Sequence, residues 1–400
     1  MGLIVDGGTI VTMGREGIVG DGVVIVENDR IIDVGKGDEL RRKYSGYERM
    51  DAKGKVVIPG LINTHQHAAM SLLRGYADDL PLKVWLEDWI WPLEKYITGR
   101  DIYVGALLTA VESVMGGTTT VNSMYHHTAD GNEAEAFAEV GLRGVIGHVC
   151  FSWRRDEDRK ALWALTRDWH GKANGLLRVS VDPHAPYTVD PEYMKELRSI
   201  AKELNEKYGS PDSPIMWHTH IAETKDEPKK IREAFKVPVK GGVVEYLDSL
   251  GVLESDTLAA HCVWLSSKDI TILKERGVKI SHNPISNLKI GCGVSPVSSL
   301  LRAGMTVALG TDSSCSNNTA DMFEVMKAAA LLQKGVYGDP TLLPAEQALR
   351  MATIGGAEAL LWDKQIGSIE VGKSADLVII DFRKPHLCPL FNEIILGQGI

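Results

Sequence analysis

Val56-Val57-Ile58-Pro59-Gly60-Leu61-Ile62-Asn63-Thr64-His65-Gln66-His67 is an apolar, β-branched run that ends in two histidines. It divides two regimes of the chain. Upstream, Leu3–Val5, Thr9–Thr12, Val23–Glu27 and Arg30–Val34 are short β-rich runs separated by Gly and Asp turns, with a hairpin expected across Asn28-Asp29. No helical period appears before about Asp38. Downstream, apolar runs alternate with longer helical stretches, the pattern of βα units on a parallel sheet. Eight such runs are legible: Val57–Asn63, Thr118–Ser123, Gly144–Val149, Leu177–Asp182, Ile215–His220, Thr257–His261, Val278–His282 and Thr306–Gly310. Eight parallel strands predict a closed (β/α)8 TIM-like barrel. A doubly wound open sheet is disfavoured, because no Gly-rich phosphate loop follows the first strand.

The end of the chain returns to β character in Ala375-Asp376-Leu377-Val378-Ile379-Ile380-Asp381. The expected organisation is therefore an α/β barrel over residues 58–364. Residues 1–57 and 365–400 would supply the two parts of a small β-sandwich domain.

In such a barrel the reactive side chains sit at the C-terminal ends of the strands. Those ends here read His65-Gln66-His67, Asp182-Pro183-His184, His218-Thr219-His220, His261, His282 and Thr311-Asp312. They hold seven of the twelve histidines of the chain, a concentration that packing alone does not explain. His65 and His67 are two apart, so on an extended strand end both imidazoles face one side. Two such rings, one histidine of the fifth strand and Asp312 of the eighth make a ligand set with room left for water. Imidazole and carboxylate suit zinc or ferrous iron better than magnesium. Of the fifth-strand pair, His220 is read as the ligand and His218 as a side chain packed one layer deeper. Glu223 follows His220 by three residues, and a carboxylate there could take a proton from the attacking water and return it to a departing nitrogen. Its bland alternative is a salt-bridged residue opening a helix. Asp312 could both touch the ion and receive a proton, and His261 could polarise the atom under attack or simply pack behind the site. His282, His126, His127 and His148 read as core or loop residues, and the mixed-sign run Glu223–Lys236 as a solvated helix face.

Bulk properties exclude other classes. The net charge is −9 and no basic stripe occurs, which disfavours nucleic-acid and anionic-membrane partners. The five cysteines are widely spaced without a CxxC, as expected for a reducing cytoplasm. Neither a signal peptide nor a membrane-length apolar run is evident.

Pro59-Gly60-Leu61-Ile62-Asn63-Thr64-His65-Gln66-His67, His220-Ile221-Ala222-Glu223, Ala260-His261-Cys262, Ser281-His282-Asn283-Pro284 with Ser286-Asn287, and Gly310-Thr311-Asp312 resemble the motifs of the amidohydrolase superfamily in its aminohydrolase branch. Over residues 1 to about 390 the chain is most similar to the 5′-methylthioadenosine/S-adenosylhomocysteine deaminases, which include the 5′-deoxyadenosine deaminases. The resemblance implies one divalent metal, zinc first and iron second, at His65, His67, His220 and Asp312. It places substrate at Glu94, His184, Glu223 and Asp312, with catalysis by Glu223, His261 and Asp312. Glu94, within Trp89-Ile90-Trp91-Pro92-Leu93-Glu94, matches the family glutamate that contacts the ribose hydroxyls. His184, within Pro183-His184-Ala185-Pro186-Tyr187-Thr188, matches a substrate-binding histidine. Trp85, Trp89 and Trp91 are candidates for the pocket wall. Arg154, Arg155 and Arg159 stand where some members use arginines, with no single one favoured. The lysine that bridges two ions in dinuclear members is missing from the strand ends.

The implied activity is hydrolytic deamination of a nucleoside, and the implied assembly is a homo-oligomer. The alternatives are another aminohydrolase or chlorohydrolase of the superfamily, such as a guanine deaminase or triazine-type hydrolase, and more remotely a non-catalytic scaffold. Family chains usually run some thirty residues beyond position 400, so the small domain is expected to lack strands and to carry an unpaired edge.

Overall fold

The computed structural model describes residues 2–389 together with Phe391 and Asn392. The expected shortfall of strands after Phe391 therefore lies outside the described residues. Among the described residues, fourteen strands form two sheets. Strands β1 (Gly2–Val11), β2 (Ile18–Glu27), β3 (Arg30–Lys36), β4 (Glu48–Asp51), β5 (Lys55–Pro59) and β14 (Leu377–Asp381) make a six-stranded sheet in which β14 runs antiparallel to β5, so both ends of the chain contribute. The Asn28-Asp29 hairpin is present, with β2 paired to β3 from Glu27↔Arg30 to Gly22↔Lys36. The two early runs Leu3–Val5 and Thr9–Thr12 merge into the single strand β1, whose register shifts near Gly8.

The second sheet holds β6 (Leu61–Gln66), β7 (Thr118–Tyr125), β8 (Arg143–Cys150), β9 (Leu177–Pro183), β10 (Met216–Ile221), β11 (Thr257–His261), β12 (Lys279–His282) and β13 (Val307–Leu309), all parallel and in chain order. All eight expected strands are found, with one change. The run Val57–Asn63 is broken at Gly60: Val57 and Ile58 pair in the small sheet, while Leu61 onward begins the barrel. Glycine is required at the crossing, because a Cβ there would fall on the Thr119 side chain.

The barrel is nearly closed. Between β13 and β6 the seam is held mostly by side chains. Thr64 Oγ1 donates to the Leu309 carbonyl at 2.9 Å, and the Thr311 amide donates to Asn63 Oδ1 at 3.0 Å. The Asn63 amide nitrogen donates to Thr311 Oγ1 at 2.7 Å, and the Asp312 amide donates to the His65 carbonyl at 2.9 Å. Polar residues inside a barrel core must be paired to be tolerated. Here the pairing also brings the ends of strands one and eight, and so His65 and Asp312, side by side. Around the barrel the helices bury an apolar layer that includes Leu197, Ile231, Leu247, Leu300 and Met326. Among the described residues no helix is long and apolar enough to cross a membrane.

Candidate active site

The strand ends converge on one cluster. The His65 ring is its hub, with centroids 5.0 Å from those of His67, His218 and His220 and 5.3 Å from that of His261. Asp312 Oδ1 lies 3.5 Å from His65 Nε2 and 3.3 Å from His67 Nε2. Candidate ligand atoms of His65, His67 and Asp312 lie within 4.8 Å of one another, as do those of His65, His220 and His261.

Each ring is held from behind. His67 Nδ1 lies 2.7 Å from the Met124 carbonyl, His220 Nδ1 2.6 Å from the His184 carbonyl and His261 Nδ1 2.8 Å from Asn287 Oδ1. Those oxygens accept, so Nδ1 carries the hydrogen and Nε2 keeps a free lone pair. His65 Nε2 is buried and without a hydrogen-bond partner. Ser286 Oγ and the Ser313 amide both donate to Asp312, at 2.6 and 2.7 Å. Imidazoles oriented through Nδ1, an orphaned buried nitrogen and an anchored carboxylate fit a divalent cation. The backbone departs from ordinary strand geometry here: Ala222, His261, Cys262 and Asp312 all adopt left-handed conformations, with φ from 48° to 72°. Strain of this kind concentrates at functional sites.

Glu223 is buried in the loop after β10, with Oε1 3.8 Å from His261 Nδ1 and 3.6 Å from Cys292 Sγ. Burial raises its carboxyl above the ordinary value, with His261 opposing. Glu227, one turn on, accepts from the backbone amides of Ala222, Glu223 and Thr224 at 3.0, 2.6 and 3.2 Å. The solvated-face reading of Glu223–Lys236 thus fails at its start. Both glutamates are buried, and the second ties down the loop that carries the first. The helix Glu227–Phe235 that follows is otherwise largely exposed.

These groups face an open cavity. Its floor includes His67, His220, His261, Glu223 and Asp312, and its walls include Trp85, Trp91, Tyr125, Phe151, His184 and Tyr187. Glu94 also lines it. Glu94 Oε1 accepts from the Tyr125 hydroxyl at 2.8 Å, and burial raises its carboxyl. His184 stacks on Phe151 with ring centroids 4.7 Å apart, and burial lowers its pKa to about 3, so it is neutral near pH 7. Trp89 is the exception among the tryptophans. It is exposed and meets Tyr76 edge-on, away from the cavity. Of the three arginines, Arg155 and Arg159 pair with Glu196, while Arg154 lines a neighbouring recess with Glu94 and places Nη1 3.1 Å from His126 Nδ1. His126 lies in the loop after β7, as expected, and reaches the cavity wall. His148 is internal, with Nε2 3.1 Å from Asp158 and Nδ1 accepting from the His127 amide. His282 is buried and outside the lining.

Sequence reasoning gave no role to Tyr125, Ser286, Asn287, Glu227 or Asp182. Ser286 and Asn287 carried a signal, since they sit just past the seventh strand end in the Asn283-Pro284 motif. Glu227 acts from behind Glu223, and spacing alone does not reveal that.

A model described as the amidohydrolase family matches residues 56–396. The 5-methylthioadenosine/S-adenosylhomocysteine deaminase of Caldanaerobacter subterraneus subsp. tengcongensis is 41% identical over 400 residues, covering 99% of this chain and 88% of the relative. The 5′-deoxyadenosine deaminase of Methanosarcina mazei is 40% identical over 395 residues, covering 98% and 87%. Among solved structures, an adenosine deaminase from Xanthomonas campestris with bound zinc superposes with a TM-score of 0.89 at 33% identity, covering 99% of this chain and 88% of the other.

Proposed function

The chain belongs to the amidohydrolase family, and on that footing we propose that it is a divalent-metal hydrolytic deaminase of adenosine-type nucleosides altered at the 5′ position. Its substrates in this reading are 5′-methylthioadenosine, S-adenosylhomocysteine, 5′-deoxyadenosine and adenosine, and its products the inosine analogue and ammonia. The observation that carries the reading is the placement of buried Glu223 beside His261, on the same cavity floor as His67, His220 and Asp312 with His65 buried behind them, and Glu94 on the cavity wall. Relatives at 40–41% identity that are named for these substrates support it.

His65, His67, His220 and Asp312 hold the ion, which is zinc in this reading. When bound, it supplies Lewis acidity and activates water near neutral pH. As the water oxygen adds to C6 of the purine, the C6=N1 π bond opens onto N1. Glu223 takes one water proton and passes it to the leaving amino group, the other ends on N1, and loss of ammonia leaves a carbonyl at C6 and hydrogen on N1. A carboxyl whose pKa is raised by burial suits both halves of that transfer. Asp312 and the lone pair on His261 Nε2 accept from the water oxygen that adds at C6. Glu94 accepts from the vicinal ribose hydroxyls through its free oxygen, and neutral His184 contacts the purine–sugar side without adding charge. An open cavity walled by aromatic rings with a few convergent polar groups suits a nucleoside. Residues 58–364 form the catalytic unit of this reading and the two chain ends its small β-domain. The enzyme is cytoplasmic and homo-oligomeric in the same reading.

The site assignment is tested by Asp312→Ala and His220→Ala. Both are expected to lose bound metal and turnover together. Full activity in either variant would overturn the ligand set.

A further inference from the structure

We infer that Asp182 and His218 form a buried relay that sets the tautomer of His65, and that both are positioning residues for the ion without touching it. This rests on His65 being a ligand, as proposed above. His65 Nδ1 lies 2.9 Å from His218 Nε2, and His218 Nδ1 lies 3.3 Å from Asp182 Oδ2. All three side chains are buried. A carboxylate accepts, so His218 Nδ1 carries hydrogen and donates to Asp182. In the neutral ring His218 Nε2 is then an acceptor, and the hydrogen between the two imidazoles belongs to His65 Nδ1. That leaves the lone pair on His65 Nε2, the atom that points at Asp312 and has no hydrogen-bond partner. Asn122 is the competitor for His218 Nδ1: its amide nitrogen lies 3.3 Å away and, with one hydrogen on the Thr64 carbonyl at 2.8 Å, has a second to give. The charged Asp182 carboxylate is the stronger of the two partners.

The arrangement sets His65 apart from its neighbours. His67, His220 and His261 each rest on a carbonyl oxygen. His65 rests on a second ring backed by a carboxylate, and a carboxylate behind a ligating imidazole fixes its tautomer and strengthens it as a donor. The fold makes room for this carboxylate: a Cβ at Gly147 on β8 would collide with Asp182 Oδ2. Among the described residues Asp182 has one hydrogen-bond partner, His218, and Asp182 Oδ1 has none. A buried carboxylate so sparsely satisfied costs folding free energy. Its use at His65 accounts for it.

The experiment uses the full chain, stripped of metal and titrated with zinc against a competing chelator. Asp182→Asn and His218→Leu are expected to weaken zinc binding about 10–100-fold. His218→Gln should retain more affinity than His218→Leu, because its side-chain carbonyl can accept from His65 Nδ1–H. Unchanged affinity in folded Asp182→Asn and His218→Leu, or equal losses in His218→Leu and His218→Gln, would overturn the relay. Nitrogen-15 NMR of the histidine rings in the metal-free wild type supplies a readout that survives misfolding of any variant. The hydrogen of His65 is expected on Nδ1, and its assignment to Nε2 would overturn the relay. A wild-type chain that takes up no zinc would overturn the metal reading, and the ring tautomer would still decide the relay.

Discussion

Replacing Glu94 with Gln removes one charge from the cavity while keeping the shape of the side chain. Glu94 has two oxygens. One accepts from the Tyr125 hydroxyl at 2.8 Å, and the other makes no hydrogen bond to the described chain. Gln still offers a carbonyl to Tyr125, so the fold loses little. The free side then becomes an amide NH2, which cannot accept from a ribose hydroxyl. A hydrogen bond to a charged group contributes about 1.5–3 kcal/mol. At about 1.4 kcal/mol per factor of ten, this corresponds to roughly 10–150-fold in kcat/KM. The assay is a cycle of two enzymes and two substrates: wild type and Glu94→Gln, each with 5′-deoxyadenosine and with the same nucleoside lacking both ribose hydroxyls. The loss is expected with the first substrate and nearly absent with the second. Equal losses on both would refute the ribose role and leave Glu94 as a structural partner of Tyr125.

Three further outcomes are expected. Glu223→Gln keeps its metal by elemental analysis but loses turnover by roughly 10²–10⁴-fold, the usual contribution of a positioned acid–base group; near-normal kcat would remove Glu223 from proton transfer. Because burial raises the Glu223 carboxyl and its ionised form is the one that accepts the proton, kcat/KM should rise with pH through an ionisation above the ordinary glutamate value; an acid limb at or below that value would contradict this. Gly105→Ala should destabilise the protein by about 1–3 kcal/mol in denaturant titration, since a Cβ there falls on the Ala69 carbonyl just after the His67 strand end, and an unchanged midpoint would show that the segment yields freely.

The barrel was legible because strand and helix periods differ and because its histidines gather at strand ends. His65, His67, His220 and Asp312 needed no contact information to be grouped. Other features depend on tertiary neighbours. The continuous apolar run across Gly60 reads as one strand, yet Val57 pairs with β1 and β14 while Leu61 enters the barrel. Glu227 looks like an ordinary charge in a mixed helix, and three backbone amides folded back upon it make it a buried anchor. His218 was expected one layer down, which its burial agrees with. Its contact to His65 and the carboxylate of Asp182 behind it, 36 residues away in sequence, were not visible in spacing. Trp89 shares a segment with the cavity residues Trp85 and Trp91, but the path of the chain turns it outward.

The most direct test of the central claim is ammonia release by the metal-replete protein from 5′-deoxyadenosine, 5′-methylthioadenosine, S-adenosylhomocysteine, adenosine and guanine, followed together with the ultraviolet change from an adenine to a hypoxanthine ring. The expected result is stoichiometric ammonia and inosine-type product from the adenosine compounds and none from guanine. No ammonia from any adenosine compound, or turnover confined to guanine, would contradict it.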